Sequence, residues 1–259
     1  MKRGRASGRS KFVSLCLTVL FLGSAAPVHA GIPTECGVDG GPFAIAFPLE
    51  HVKKAIADKS LSILVVGAGS SQLPGPNGAA NSYPARLQQA LAHKLPGVQV
   101  TVATDIKFRR TAADMIKTLP AELARTHPAL MLWQTATVDA MQAVDPDQFS
   151  QALDKGIRKT RAAGADVMFI NPQYSPRTES IIALGIYVEN MRWVAVQHEV
   201  PVFDRFGLMK AWADQGTFDF YAATKKLDMA ERVHDCIGRM LADLVLEAAK
   251  PDTAPANNK

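Results

Sequence analysis

Ser70 and Ser71 stand directly after an apolar run, residues 61–66, and a glycine-bearing turn, Gly67-Ala68-Gly69. An amphipathic segment follows at 83–95. A buried strand, a glycine turn carrying hydroxyls and then a helix is how α/β enzymes present a nucleophile or a phosphate loop at the carboxyl edge of a sheet. The turn lacks the final GK[ST] of a Walker loop and the third glycine of a dinucleotide fingerprint, so nucleotide binding is disfavoured. No cofactor is expected, and no metal, because no His/Cys cluster has ligand spacing. A serine nucleophile needs a base. His93, His127 and His198 fall at helix ends or in loops expected at the opposite edge, and His51 lies in an N-terminal extension on a helix over 48–58. His234 alone starts near the correct edge.

Five segments carry the remaining chemistry: 67–75, 104–110, 135–139, 172–177 and 205–207. Candidate catalytic residues are Ser70, Ser71 and His234. Candidate binding residues are Asp105, Arg109, Gln134, Thr137, Asp139, Gln173, Tyr174 and Arg205, with Arg110 and Arg177 nearby in sequence. For each of them a loop-surface role is the competing reading, and for His234 a partly buried helix position beside Val233, Ile237, Leu241 and Leu244.

The elements that must position these groups alternate along the chain. Short runs rich in apolar and β-branched residues mark strands at 62–66, 98–103, 130–134, 167–171 and 202–204. Helical patterns lie between them at 84–94, 112–126 with a break expected at Pro120, 146–163 and 178–199, and further helices follow at 208–214 and 228–249. Alternation of this kind predicts a five-stranded parallel sheet with helices on both faces. Asp228 with Glu231 reads as a capping box opening the last helix. A later start near Asp235 would instead place Glu231-x-x-His234 before it.

Residues 1–30 read as an export signal: a basic start, an apolar core over 12–22 and Val28-His29-Ala30 before Gly31. The core falls short of the ~20 residues a membrane span requires. Removing its five basic residues leaves 24 Lys+Arg against 24 Asp+Glu, so the basic balance of the whole chain, +5, belongs to the leader and gives no footprint for nucleic acid. The expected product is one domain over 31–250 with a disordered tail at 251–259, in the bacterial periplasm or secreted. There Cys36 and Cys236 are the two cysteines left, either bridged or as separate thiols.

Taken in order, Ile63-Leu64-Val65-Val66-Gly67 through Ser70-Ser71, Ser82-Tyr83-Pro84-Ala85-Arg86-Leu87, residues 128–137, Ala163-Gly164-Ala165-Asp166-Val167, Asn171-Pro172-Gln173-Tyr174-Ser175-Pro176, residues 203–209 with Trp212, and 236–242 resemble the SGNH/GDSL hydrolase family. The resemblance covers essentially the whole mature domain. It implies a flavodoxin-like three-layer α/β/α fold and ester hydrolysis, often of acyl groups on carbohydrates or lipids. In the family a serine after the first strand attacks, an Asp-x-x-His pair activates it, and a glycine and an asparagine complete the oxyanion hole.

Carried over residue by residue, every block departs. Gly69 stands at the nucleophile position, no glycine occurs in 104–109, and Ala136-Thr137-Val138 replaces the usual Gly-Thr-Asn. Lys225-Lys226-Leu227-Asp228 occupies the Asp-x-x-His register. Three functions follow: a protein without the usual triad that binds a small-molecule or glycan ester ligand in the family pocket; an active ester hydrolase or acyl transferase using Ser70 or Ser71 with His234; or a structural, partner-binding envelope protein, with 181–196 as its candidate face. The approach of the serine hydroxyls to the His234 ring discriminates the first two, and an exposed apolar patch would mark the third.

Overall fold

In the computed structural model the described residues are Met1, 36–38, 44–45, 47–222 and 227–250. The leader beyond Met1, the 251–259 tail, and Lys225 and Lys226 of the Asp-x-x-His register lie outside them. The described residues from Cys36 onward belong to one compact unit.

The strands are β1 (Ala44–Ile45), β2 (Ser60–Gly67), β3 (Gln99–Ile106), β4 (Leu130–Gln134), β5 (Asp166–Ile170) and β6 (Val202–Phe203), in the sheet order β1-β6-β5-β4-β2-β3. The five expected strands, β2 to β6, are parallel, and β1 adds an antiparallel edge pairing with β6. Alternate residues of a strand face opposite sides. Ile63, Val65, Leu130 and Leu132 accordingly pack under one layer, made by α3 (Tyr83–Lys94), α9 (Arg205–Asp214) and α10 (Asp228–Ala248). Leu64, Val66, Met131 and Trp133 pack under the other, made by α4 (Ala112–Thr126), α6 (Pro146–Ala162) and α8 (Leu184–Gln197). In α6 an interior glycine is required by packing, since a Cβ on Gly156 would sit 2.2 Å from the Trp133 ring. Short helices α1 (Glu50–Ala57), α2 (Gly78–Asn81), α5 (Thr137–Met141) and α7 (Pro176–Glu179) complete the chain.

Several expectations are corrected. The helix over 112–126 is continuous through Pro120, whose ring lies on the exposed side while Met115, Ile116, Leu119 and Leu123 pack inward and hold the helix together. The expected 178–199 helix is divided into α7 and α8 at residues 180–183, where the Ser180 hydroxyl donates to the Arg177 carbonyl and competes with helix continuation. Helix α10 starts at Asp228 with no side-chain cap, so neither the Asp228 capping box nor the later start near Asp235 occurs. Glu231 instead accepts from Asn81 Nδ2 at 2.9 Å, a tertiary partner that outcompetes the local one.

Helix α10 packs along α3 at a close crossing, where a Cβ on Gly238 would lie 2.8 Å from the Leu87 backbone nitrogen. Cys36 and Cys236 are bridged, with Cα atoms 5.4 Å apart at a sequence separation of 200. The Trp212 indole also donates to the Cys36 carbonyl, which ties the N-terminal extension to α9 as well. Closing so long a loop restrains the unfolded chain, and losing a native disulfide typically costs about 2–5 kcal/mol. Cys236→Ser should therefore lower unfolding stability in urea by an amount in that range. An unchanged midpoint would show that the bridge contributes nothing.

Candidate active site

The carboxyl ends of β2, β4, β5 and β6 meet around the Gln134 side chain, the last residue of β4. Its Oε1 accepts from Ser71 Oγ at 2.9 Å and from Arg205 Nη1 at 3.0 Å, and its Nε2 donates to Ser70 Oγ. Arg205, the first residue of α9, also donates to the Ser70 carbonyl at 3.0 Å and through Nη2 to Gln173 Oε1 at 3.2 Å. Ser70, Ser71, Gln134, Gln173 and Arg205, taken from four segments of the sequence, are thus one hydrogen-bonded group. Ser71 and Arg205 are fully buried, while Ser70 and Gln173 are half-buried.

Residues 69–71 form a single 3-10 turn, which directs both hydroxyls back to the sheet rather than outward. Gly69 stands where the resemblance expects a nucleophile, and a Cβ there would lie 2.6 Å from the Phe108 ring. Phe108 itself is 77% exposed and belongs to the loop after β3, where the resemblance expects the oxyanion-hole glycine. The two departures therefore touch each other.

His234 sits one turn before Gly238 on the face of α10 that meets α3. Its Nδ1 accepts the Tyr83 backbone N–H at 3.0 Å, and its ring stacks on Tyr83 with centroids 5.8 Å apart. Burial first, and the Arg205 charge second, push the imidazole down to about 3. The ring is neutral at pH 7, and its one acceptor nitrogen is already engaged by the backbone. Burial likewise pushes the Tyr83 hydroxyl up to about 12, with Ser71 and Arg205 opposing weakly; that hydroxyl meets no partner at hydrogen-bonding geometry.

The other candidates do different work. Asp105 is clamped by Arg110 at 2.7 Å and Lys107 at 3.1 Å, and these cations outweigh its burial to hold the carboxyl below its ordinary value. Arg110 also donates to the Gly67 carbonyl at 3.2 Å, which fastens the loop after β3 to the end of β2. Asp139 accepts the Ala112 N–H at 2.9 Å and the Thr135 hydroxyl at 3.2 Å, so it anchors the start of α4; burial raises its carboxyl. The Thr137 hydroxyl is buried with no partner among the described residues. Tyr174 packs edge-on against Phe206, and burial, with Tyr221 adding to it, raises its hydroxyl to about 12. Arg109 and Arg177 are exposed, with Arg109 at φ +60°.

Ala136 lies at φ +83°, ψ −33° and is fully buried, in the block that reads Gly-Thr-Asn in the resembling family. A Cβ in the positive-φ region costs roughly 1–2 kcal/mol, so Ala136 holds a conformation that a glycine would adopt without that cost. Sequence reasoning missed Tyr83 and Phe108. The aromatic opening of α3 could have signalled the first; nothing local signals the second.

The depressed imidazole makes a pH prediction. Between about pH 6.5 and 3 the unfolded chain binds a proton that the folded His234 refuses, so stability is full above that window and falls as pH drops through it. At pH 4.5 this amounts to about 2–3 kcal/mol. His234→Asn preserves an acceptor for the Tyr83 N–H and does not titrate. Its stability loss between pH 7 and 4.5 should be smaller than wild type by about that amount, and an identical loss would refute the assignment.

Comparison with known proteins follows the same lines. Residues 35–251 match the model of the Non-GDSL lipase-like family. A stretch of 120 residues is 32% identical to Esterase TesA of Pseudomonas aeruginosa, covering 45% of this chain and 58% of that protein, so the match spans little over half the relative's length. A crystal structure of TesA superposes with TM-score 0.55 at 25% identity, over 71% of this chain and 99% of the other. A catalytic mutant of Axe2, an acetylxylan esterase from Geobacillus stearothermophilus, superposes with TM-score 0.56 at 14% identity, over 73% and 94%, a likeness of fold. With an α/β sheet of the SGNH hydrolase type and a family match across most of its length, the chain belongs to the Non-GDSL lipase-like family, an SGNH/GDSL-like, esterase-like protein.

Proposed function

We propose that this protein is an exported family member that has lost the usual Ser-Asp-His triad and binds an acyl- or carbohydrate-type ester ligand at the carboxyl edge of its sheet. The packing of Phe108 on Gly69 carries this reading, because it fills the direction in which a nucleophile side chain would project. His234 supports it. A general base must offer a lone pair to the nucleophile, and the His234 acceptor is spent on the Tyr83 N–H. The serines are held by Gln134 rather than by an imidazole. The polar groups that remain at this edge, Gln173 and Ser70 among them, are suited to holding a ligand by hydrogen bonds. The Cys36–Cys236 bridge supports export, since such bonds persist in oxidising compartments.

Two measurements test the proposal. Purified mature protein should hydrolyse p-nitrophenyl acetate and acetylated sugars at least ~10³-fold more slowly than the ~10 s⁻¹ of ordinary enzymes. Turnover near 10 s⁻¹ that disappears in Ser70→Ala or His234→Ala would overturn it in favour of an active hydrolase. N-terminal sequencing of the exported protein should begin at Gly31, and a mature chain that still begins at Met1 would refute cleavage.

A further inference from the structure

Arg205 is 1% exposed, yet among the described residues no carboxylate lies within 4.0 Å of its guanidinium. Its hydrogen bonds go to three neutral oxygens, the Ser70 carbonyl, Gln134 Oε1 and Gln173 Oε1, and its other contact is a cation–π one with the Tyr83 ring. A guanidinium carries five N–H donors, so these contacts leave two without an acceptor, one of them the buried Nε–H. Tyr83, whose ring centroid lies 5.8 Å from Arg205 Cζ, carries a buried hydroxyl beside Ser71 that makes no hydrogen bond of good geometry among the described residues. The nearby His234 imidazole carries no negative charge in either protonation state and supplies no countercharge. Buried charges are ordinarily paired, and buried donors ordinarily satisfied.

We propose that Arg205 is the receptor for a ligand carboxylate, entering from the side of the half-buried Gln173. The claim rests on the reading of this edge as a ligand pocket and names the ligand as an acid. A carboxylate brings one negative charge and two coplanar oxygens, which match one buried cation and two open donors of a planar fork. A phosphate dianion would bring one charge in excess into a low-dielectric setting. The location agrees with where α/β sheets bind ligands, beyond the carboxyl ends of the strands. Gln173 is the positioning residue: its amide oxygen accepts from Nη2 at 3.2 Å, while Nε–H has no acceptor among the described residues.

Titration calorimetry on the mature protein tests this with sodium acetate, sodium glucuronate, glucose and inorganic phosphate, each against sodium chloride of equal ionic strength. Acetate and glucuronate should bind, while glucose and phosphate should not. Arg205→Gln should weaken carboxylate binding by at least ~30-fold, the loss expected when one partner of a buried charge pair is truncated. Should that variant fail to fold, Gln173→Glu keeps the test decisive: it tethers a carboxylate to Arg205, so it should abolish acetate binding and raise Tm. Absence of carboxylate binding to wild type, or binding unaltered in Gln173→Glu, would overturn the proposal. Binding of a neutral acetylated sugar with no binding of either acid would overturn it and leave the pocket reading intact. Ester turnover at an ordinary enzymatic rate would overturn the triad-less reading, with the acetate titration still deciding the acid.

Discussion

Gln134 is the group on which the carboxyl edge depends. An amide can accept and donate at once, and this one does both: its oxygen takes Ser71 and Arg205 while its nitrogen gives to Ser70. A charged residue here could offer only acceptors or only donors and would leave part of the group unsatisfied. Because the amide ends β4, in the middle of the sheet, it joins the turn after β2 to the start of α9 after β6. A buried polar group of this kind is stable when its members are matched, and among the described residues Arg205 Nε and the Tyr83 hydroxyl are the atoms beside it that lack a hydrogen-bond partner.

The α3–α10 seam sets the second boundary of the site. Gly238 lets the helices approach until backbone meets side chain, and one turn earlier that same closeness delivers His234 to the Tyr83 N–H. The first N–H groups of a helix have no intrahelical acceptor. A neutral imidazole at this point satisfies one of them, which gives His234 a structural purpose and explains why it stays unprotonated. The Cys36–Cys236 bridge is anchored two residues further on, so the covalent link and the helix seam reinforce one another.

The departures from the family blocks form a connected set. Gly69 gives up a side chain, and Phe108 from the neighbouring loop covers the space. Asp105 and Arg110 hold that loop to the end of β2, so the ring is presented by a fastened segment. Ala136 keeps a left-handed backbone, which preserves the path from β4 into α5 and leaves Asp139 able to hold the start of α4. At each of these positions the residue differs from the family pattern, while the course of the backbone fits the SGNH type of sheet.

Much of the fold was legible in the sequence, because hydrophobic periodicity and strand-helix alternation are local properties: β2 to β6 and the two helical layers were readable from runs such as 61–66 and 130–134. The turn residues likewise named Ser70, Ser71, Gln134, Gln173 and Arg205 as candidates. Which of these touch was decided by tertiary structure. Only packing made Gln134 the common partner, set Phe108 against Gly69 across residues far apart in the chain, and turned Glu231 from a helix cap toward Asn81. The same holds for His234. Its type suggested a base, but burial and the Tyr83 N–H, neither of them encoded within its own helix, gave its lone pair to the backbone. Residue type determines what a group can do; the desolvation and partners that only the folded chain supplies decide which of those things it does.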